Sequence, residues 1–301
     1  MELTLGPVLF EWKKDQLTRF YEEVAGMDVE RVYIGEVVCA KKRGLGPKDV
    51  ETIGAMLEQA GKKVVVSTLA VVSNEEELGL VRDICALPFP VEANDMSVMN
   101  ITDPGHREVV AGPHIKTYNR EAVRFLMDMG IKRITFPVEL SGESVRYNID
   151  DTGVEAELFA HGKVPLAFSW RCYTSRAYGL KKSECRHDCA RHPDGMEIKT
   201  LSGEPVFTIN GTSVLSAKPL TLVGFVEDMR KNGVKALRIS PHHRHTKETV
   251  EVFRARLDGQ LTAEEALREL RSIYQEEFVN GWYLAGAGKD YLADGAISAR
   301  S

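Results

Sequence analysis

The chain has 301 residues and a mass of 33.5 kDa, with 43% hydrophobic and 28% charged residues, which fits a folded globular protein and excludes a disordered, collagenous or coiled-coil one. A net charge of −5 and a pI near 6.0 argue against a generally basic nucleic-acid-binding surface. No apolar run approaches the ~18–20 residues of a membrane span, and the acidic Glu2 with its short apolar stretch does not read as a signal peptide, so a cytoplasmic protein is expected.

In chain order, β-branched runs predict strands at Leu3–Leu9, Arg31–Ile34, Lys63–Thr68, Pro90–Glu92, Glu108–Ala111, Arg133–Pro137 and Val154–Phe159. Helical spacing of apolar residues predicts helices at Lys14–Ala25, Pro47–Ala60, Glu75–Ala86 and Arg120–Met129. Pro47 opens and Gly61 closes the second of these, and Asn74 before three glutamates reads as an N-cap. A later unit repeats the pattern with helix Thr221–Asn232 and strand Ala236–Ile239, and Thr262–Phe278 reads as a charged amphipathic helix. Alternating strands and helices imply a parallel sheet, and about eight such strands imply a closed (β/α) barrel, an α/β fold. The expected organisation is one domain over 1–301, with a cysteine-rich insertion at 169–212 late in the barrel and a C-terminal helical segment at 246–301.

The regularity breaks between Ser169 and Thr212, where no strong apolar periodicity is visible. Three of the five cysteines lie here, as Cys172-x12-Cys185-x3-Cys189, and six Lys/Arg (Arg171, Arg176, Lys181, Lys182, Arg186, Arg191) face two acids between Arg171 and His192. An odd number of cysteines in a chain this long is no disulfide framework. Three thiols within eighteen residues can converge on one metal centre, and a local helix would project Cys185 and Cys189 from one face. Cys39, after a predicted strand, is the leading fourth ligand. Cys85, inside a helical pattern, reads as a small buried hydrophobe. The set is compatible with an iron–sulfur cluster, with structural zinc completed by Cys39, His187 or His192, or with free cysteines in a basic loop.

The segment Glu157–Cys172 (ELFAHGKVPLAFSWRC) resembles the signature of the collagenase-like peptidase family at Glu157, Phe159, His161, Gly162, Ser169 and Cys172, and Glu139-Leu140-Ser141 resembles a second family element. Pro165 stands where that signature has its first cysteine. With Cys39 available instead, and with Phe207–Thr212 (FTINGT), the chain is similar to the UbiU/UbiV branch of the family over essentially its whole length. That resemblance implies a 4Fe–4S cluster on Cys39, Cys172, Cys185 and Cys189. It also implies oxygen-independent hydroxylation of the ubiquinone ring by a heterodimer with a UbiU-like subunit. A UbiT-like lipid-binding accessory protein, a ubiquinone precursor and prephenate as oxygen source belong to the same implication. Related members hydroxylate RNA bases.

Proteolysis finds little support, since neither H-E-x-x-H nor G-x-S-x-G is present and cysteines held by a cluster cannot act as nucleophiles. Polar residues at predicted strand ends are Glu36, Asn94, Asp95, His114, Glu139, His161 and His242-His243. Glu36, Glu139 and His161 are the candidate catalytic residues, with capping, salt-bridging or a structural histidine as the plainer readings. His242-His243-Arg244-His245 invites a metal reading, but adjacent side chains on extended backbone diverge, and a solvated loop or anion contact is the favoured reading. The expected function is the iron–sulfur subunit of an oxygen-independent hydroxylase, with a metal-stabilised scaffold or an RNA-base hydroxylation factor as rivals.

Overall fold

The computed structural model describes residues 1–42 and 44–292. Six strands and six helices alternate at first: β1 (Glu2–Leu5), α1 (Lys14–Ala25), β2 (Arg31–Gly35), α2 (Pro47–Gln59), β3 (Lys63–Ser67), α3 (Glu75–Cys85), β4 (Val91–Ala93), α4 (Ser97–Ile101), β5 (Val109–Ala111), α5 (Arg120–Asp128), β6 (Arg133–Thr135) and α6 (Gly142–Ile149). After β7 (Glu155–Gly162) the chain leaves the barrel for β8 (Pro165–Phe168), α7 (Tyr173–Ala177), β9 (Met196–Lys199), β10 (Pro205–Asn210) and β11 (Ser213–Ser216). It returns through β12 (Leu220–Thr221), α8 (Val226–Lys231), β13 (Ala236–Ile239), α9 (Thr246–Leu257) and α10 (Ala263–Tyr274).

Strands β1 to β7 and β13 pair in parallel around a closed ring: Leu3 lies opposite Leu237, Ile134 opposite Ala156, and Leu237 opposite Leu158. This is the expected eight-stranded (β/α) barrel. Each β-strand is nearly all buried because one side fills the barrel and the other meets the helices. Gly35 ends β2 at φ 144°, where a Cβ would come within 2.4 Å of the Ser67 carbonyl oxygen, so only glycine lets β2 and β3 approach there.

Several boundaries differ from expectation. The first strand stops at Leu5 because Pro7 has no N–H to offer a ladder. The seventh runs on to Gly162, since β12 adds antiparallel to its end, pairing Leu220 with Gly162. Thr221 belongs to that added strand rather than to a helix; a 3-10 turn at Val223–Phe225 precedes α8. The last helix ends at Tyr274, where Gln275 turns left-handed (φ 54°). The expected C-terminal segment 246–301 opens with α9 and α10, and its residues 293–301 lie outside the described residues.

The largest correction lies at 169–212. Its second half holds two strands, β9 and β10, which join the flanking β8 and β11 in a four-stranded antiparallel sheet in the order β8-β11-β10-β9. Asn210, Thr208, Ser213 and Leu215 are buried on its inner face, while Val206 and Phe207 stay 38% and 42% exposed. An outer face that is partly apolar and an inner face that is partly polar conceal the usual strand alternation. Trp12 donates its ring N–H to the Pro193 carbonyl (2.7 Å), and Asn210 donates to the Leu9 carbonyl, so the inserted sheet sits over the C-terminal ends of the strands.

Candidate metal centre at the barrel mouth

A cluster of charge fills the barrel below this roof. Arg238, 2% exposed, donates from Nη1 to Glu92 (2.6 Å), from Nε to Glu157 (2.7 Å) and from Nη2 to the Thr135 hydroxyl (2.9 Å). Its guanidinium lies 3.9 Å from the centre of the Tyr33 ring, and Tyr33 and Thr4 donate hydroxyls to Glu157 at 2.7 Å each. Burial raises the Glu157 carboxyl, but Arg238, Arg133 and these hydroxyls outweigh it and hold the group below its ordinary range. Glu157, the first residue of the signature, is thus a fixed buried anion. Of this network only Glu157 drew attention in the sequence; a lone arginine inside the apolar strand ALRI was the signal for the rest.

The cysteine loops meet above one side of the mouth. Cys39 lies in the β2–α2 loop, which is pinned to the inserted segment on both sides of it. Thr212 donates its hydroxyl to the Val38 carbonyl at 2.8 Å, and Lys41 Nζ donates to the Lys182 carbonyl at 3.1 Å. Glu36 shapes the same loop by accepting the N–H groups of Val38 (2.7 Å) and Cys39 (3.0 Å), with Lys42 Nζ at 3.2 Å. Burial raises the Glu36 carboxyl despite Lys42 and those N–H groups.

Cys172 caps α7, its sulfur accepting the Ser175 N–H at 3.3 Å. Cys185 and Cys189 do not share a helix. Cys185 follows one 3-10 turn (Lys182–Glu184) and Cys189 lies in the next (Asp188–Arg191); His187 between them is left-handed (φ 58°), and its N–H donates to the Cys185 sulfur at 3.4 Å. At Cys39 the nearby Lys41 N–H opposes the effect of burial on the thiol. Two of the four sulfurs, those of Cys172 and Cys185, therefore receive backbone N–H···S bonds, the contacts that stabilise a thiolate ligand and tune a metal bound to it.

Electrostatics tie the four together. Burial and the Glu11 carboxylate push the Cys189 thiol up to about 12, opposed by Lys42, with Cys172 and Cys185 adding to the rise. Burial likewise raises Cys39, and Lys42 and Lys182 counter it. Lys42 acts on both thiols, so the β2–α2 loop and the inserted segment share one electrostatic neighbourhood. Among the described residues, no three His, Cys, Asp or Glu side chains already form a set that could hold a single metal ion. A cubane takes its ligands at its outer corners, farther apart than the ligands of one ion. The donor set of four thiols, N–H···S bonds and adjacent cations fits that group.

Other expected residues fall elsewhere. Cys85 is buried in α3 at 5% exposure, away from the loops. His161 is fully enclosed, its ring 5.1–5.8 Å from those of Phe253, Tyr274 and Phe278, and neither ring nitrogen has a hydrogen-bond partner. It faces α9 and α10 rather than the mouth. His242 is buried at 7% against Phe10 and Tyr274 rather than solvated as expected, because β13 ends beneath the roof; His243 is exposed beside Gln16. Asp95 accepts the Ser97 N–H, and His114 packs edge-on to Phe168 at 4.7 Å. Glu139 accepts from Lys116 Nζ at 3.0 Å and from the Tyr118 hydroxyl, beyond the ends of β5 and β6. Burial raises its carboxyl, but the two donors prevail and lower it.

The sequence matches one described family, peptidase family U32, over residues 15–292. The chain belongs to peptidase family U32. Among curated U32-like relatives, the Helicobacter pylori tRNA hydroxylation protein P is 27% identical over 177 residues, covering 52% of this chain and 41% of that protein. The Bacillus subtilis tRNA hydroxylation protein P1 is 25% identical over 254 residues, covering 76% and 58%. A Porphyromonas gingivalis collagenase is 25% identical over 296 residues, covering 86% and 69%. The chain thus spans roughly half the length of the first two relatives. No helix among the described residues is long and apolar enough to cross a membrane.

Proposed function

We propose that this U32 protein is the UbiV-like, iron–sulfur subunit of a cytoplasmic oxygen-independent hydroxylase of the ubiquinone ring. In this reading it holds one 4Fe–4S cluster on Cys39, Cys172, Cys185 and Cys189 and works with a UbiU-like subunit and a UbiT-like lipid-binding protein. The observation that carries it is the pinning of the β2–α2 loop to the inserted segment on either side of Cys39, through Thr212 and Lys41. Pro165 stands at the position of a cysteine in the family signature, and in this reading Cys39, carried by the pinned loop, is the replacement ligand.

A bound cluster would supply one-electron transfer there. Ligation by four cysteines leaves no open iron for substrate, so the substrate is held by other groups of the chain. Glu36 holds the turn that presents Cys39. Lys42 and Lys182 offset thiolate charge. Glu139, kept ionised by Tyr118 and Lys116, is suited to anchoring a hydroxyl or cationic group rather than to accepting a proton at neutral pH. The peptidase alternative is opposed by His161, whose ring nitrogens bond to no cysteine.

The names of the tRNA-hydroxylation relatives favour a second reading, hydroxylation of an RNA base. Anoxic purification with iron and acid-labile sulfide counts is the test of the cluster. About four of each per chain are expected, with loss on Cys39→Ala. Zinc without sulfide would overturn the redox reading and leave a metal-stabilised scaffold. Anaerobic cultures lacking the gene then separate the substrates: hydroxylated quinone restored by the wild-type gene supports the first reading, and hydroxylated tRNA alone supports the second.

A further inference from the structure

We propose that the outward side of the inserted segment docks on the surface of an anionic lipid bilayer, lying on it rather than crossing it. The docking is independent of which substrate is hydroxylated.

In an antiparallel sheet with one face on a protein core, apolar residues turn inward and polar ones meet water. The inserted sheet does the reverse over part of its area. Phe207 lies opposite Ile198, and Ile209 lies opposite Val214 and Met196, so these side chains share the face turned away from buried Thr208, Asn210 and Ser213. All five are at least partly exposed, Phe207 at 42%. At the end of the sheet away from Asn210, Leu201 stands fully exposed in the turn between β9 and β10. The loop after β8 is fastened to the β10–β11 turn, since the Ser169 and Tyr173 N–H groups donate to the Thr212 and Gly211 carbonyls at 2.9 and 2.8 Å. It exposes Trp170, Tyr173 and Tyr178. Of the twelve large apolar side chains that the described residues expose, seven lie between Leu166 and Phe207, and such a concentration marks an interaction surface.

Charge selects the occupant. From Lys163 to Pro219 there are nine Lys and Arg against five Asp and Glu, a net +4 in a chain whose total is −5. Arg171, Arg176, Lys181 and Arg186 are exposed and form no ion pair among the described residues, whereas Arg191 and Lys199 pair with Asp188 and Glu197. The unpaired cations follow Trp170, Tyr173 and Tyr178 closely along the chain. Tryptophan and tyrosine seat their rings at headgroup level, and long cationic side chains reach lipid phosphates from the same layer. A second copy would instead set one cationic surface against another. RNA would meet the cations but leave Ile198, Ile209 and Val214 uncovered, because unpaired bases stack on aromatic rings.

Cosedimentation of the full chain with vesicles tests the assignment, using phosphatidylcholine alone or with about one third phosphatidylglycerol. Leu201→Ser and Phe207→Ser remove exposed apolar groups, and Arg171→Gln with Arg176→Gln removes two cations. Leu201 is fully exposed and has no packing to lose, and thermal midpoints verify that the others fold. The expected result is saturable binding to the anionic vesicles, at least about tenfold weaker on phosphatidylcholine alone and weakened again between about 0.1 and 0.5 M salt. The paired arginine substitutions should weaken it by about tenfold or more, and each apolar substitution by about five- to tenfold. Absent binding, or binding indifferent to all these variants, overturns the proposal. A dimer of this chain, a complex with a homologous subunit or binding of bulk tRNA that Phe207→Ser disrupts overturns it as well, by giving the face to that occupant.

Discussion

Arg238 can sit inside the barrel because every nitrogen of its guanidinium is spoken for, by Glu92, Glu157 and Thr135. Removing it would leave buried Glu92 without its cation and Glu157 with Arg133 alone. Arg238→Met is expected to cost about 3–5 kcal/mol, read as a lowered urea midpoint. Glu139 is a contrasting case, with a side chain 31% exposed at the rim. Glu139→Gln should change stability by less than about 0.5 kcal/mol and leave iron content intact, while ring hydroxylation falls; unchanged hydroxylation would assign Glu139 to salt-bridging alone. Glu36→Gln weakens the acceptor for the Val38 and Cys39 N–H groups, and iron retained after desalting should drop below wild type while the urea midpoint holds. At this scale the sequence disclosed residues by type but not their partners. Glu157 stood out in its signature, yet its ion-pair partner lies 81 positions further on.

Helices with strong caps and a full apolar stripe were legible as elements. Asn74 accepts the Glu77 N–H, as its place before three glutamates suggested, and the structure shows Asn119 capping α5 through the Ala122 N–H. Asn119→Ala should destabilise the protein by about 1 kcal/mol, measurable by chemical denaturation. α9 gave no comparable stripe, because Thr246, Thr249, Val250, Val252, Phe253, Arg256 and Leu257 are buried around most of its circumference. The inserted sheet was hidden for the opposite reason: part of its outer face is apolar and part of its buried face is polar. Between Cys185 and Cys189, a spacing of four suggested one helical turn. The left-handed His187 instead divides the stretch in two, and so gains an N–H···S contact that a continuous helix would have spent on its own carbonyl ladder.

Across the whole molecule, His161 and His242 are enclosed by the packing of the roof, barrel and outer helices, and His114 is half-buried against Phe168. Burial lowers His114 and His161 to about 3 and His242 to about 4 from the ordinary 6.5. The unfolded chain takes up protons below about pH 6.5 while the native one does not, so stability is complete above that pH and declines as pH falls toward 4. Urea midpoints at pH 7, 6 and 5 should decrease in that order, and His161→Phe should flatten the decline; a midpoint independent of pH would contradict the burial of these rings. The alternation of strands and helices, and with it the parallel barrel, was determined by the sequence, because hydrophobic period and capping act over a few neighbouring residues. The tertiary structure alone decided that Cys39 meets a segment more than 130 residues away, that Glu157 pairs with Arg238, and that His161 turns outward into an aromatic cage. Those choices depend on barrel closure and on the fold of the inserted sheet, and no local pattern encodes either.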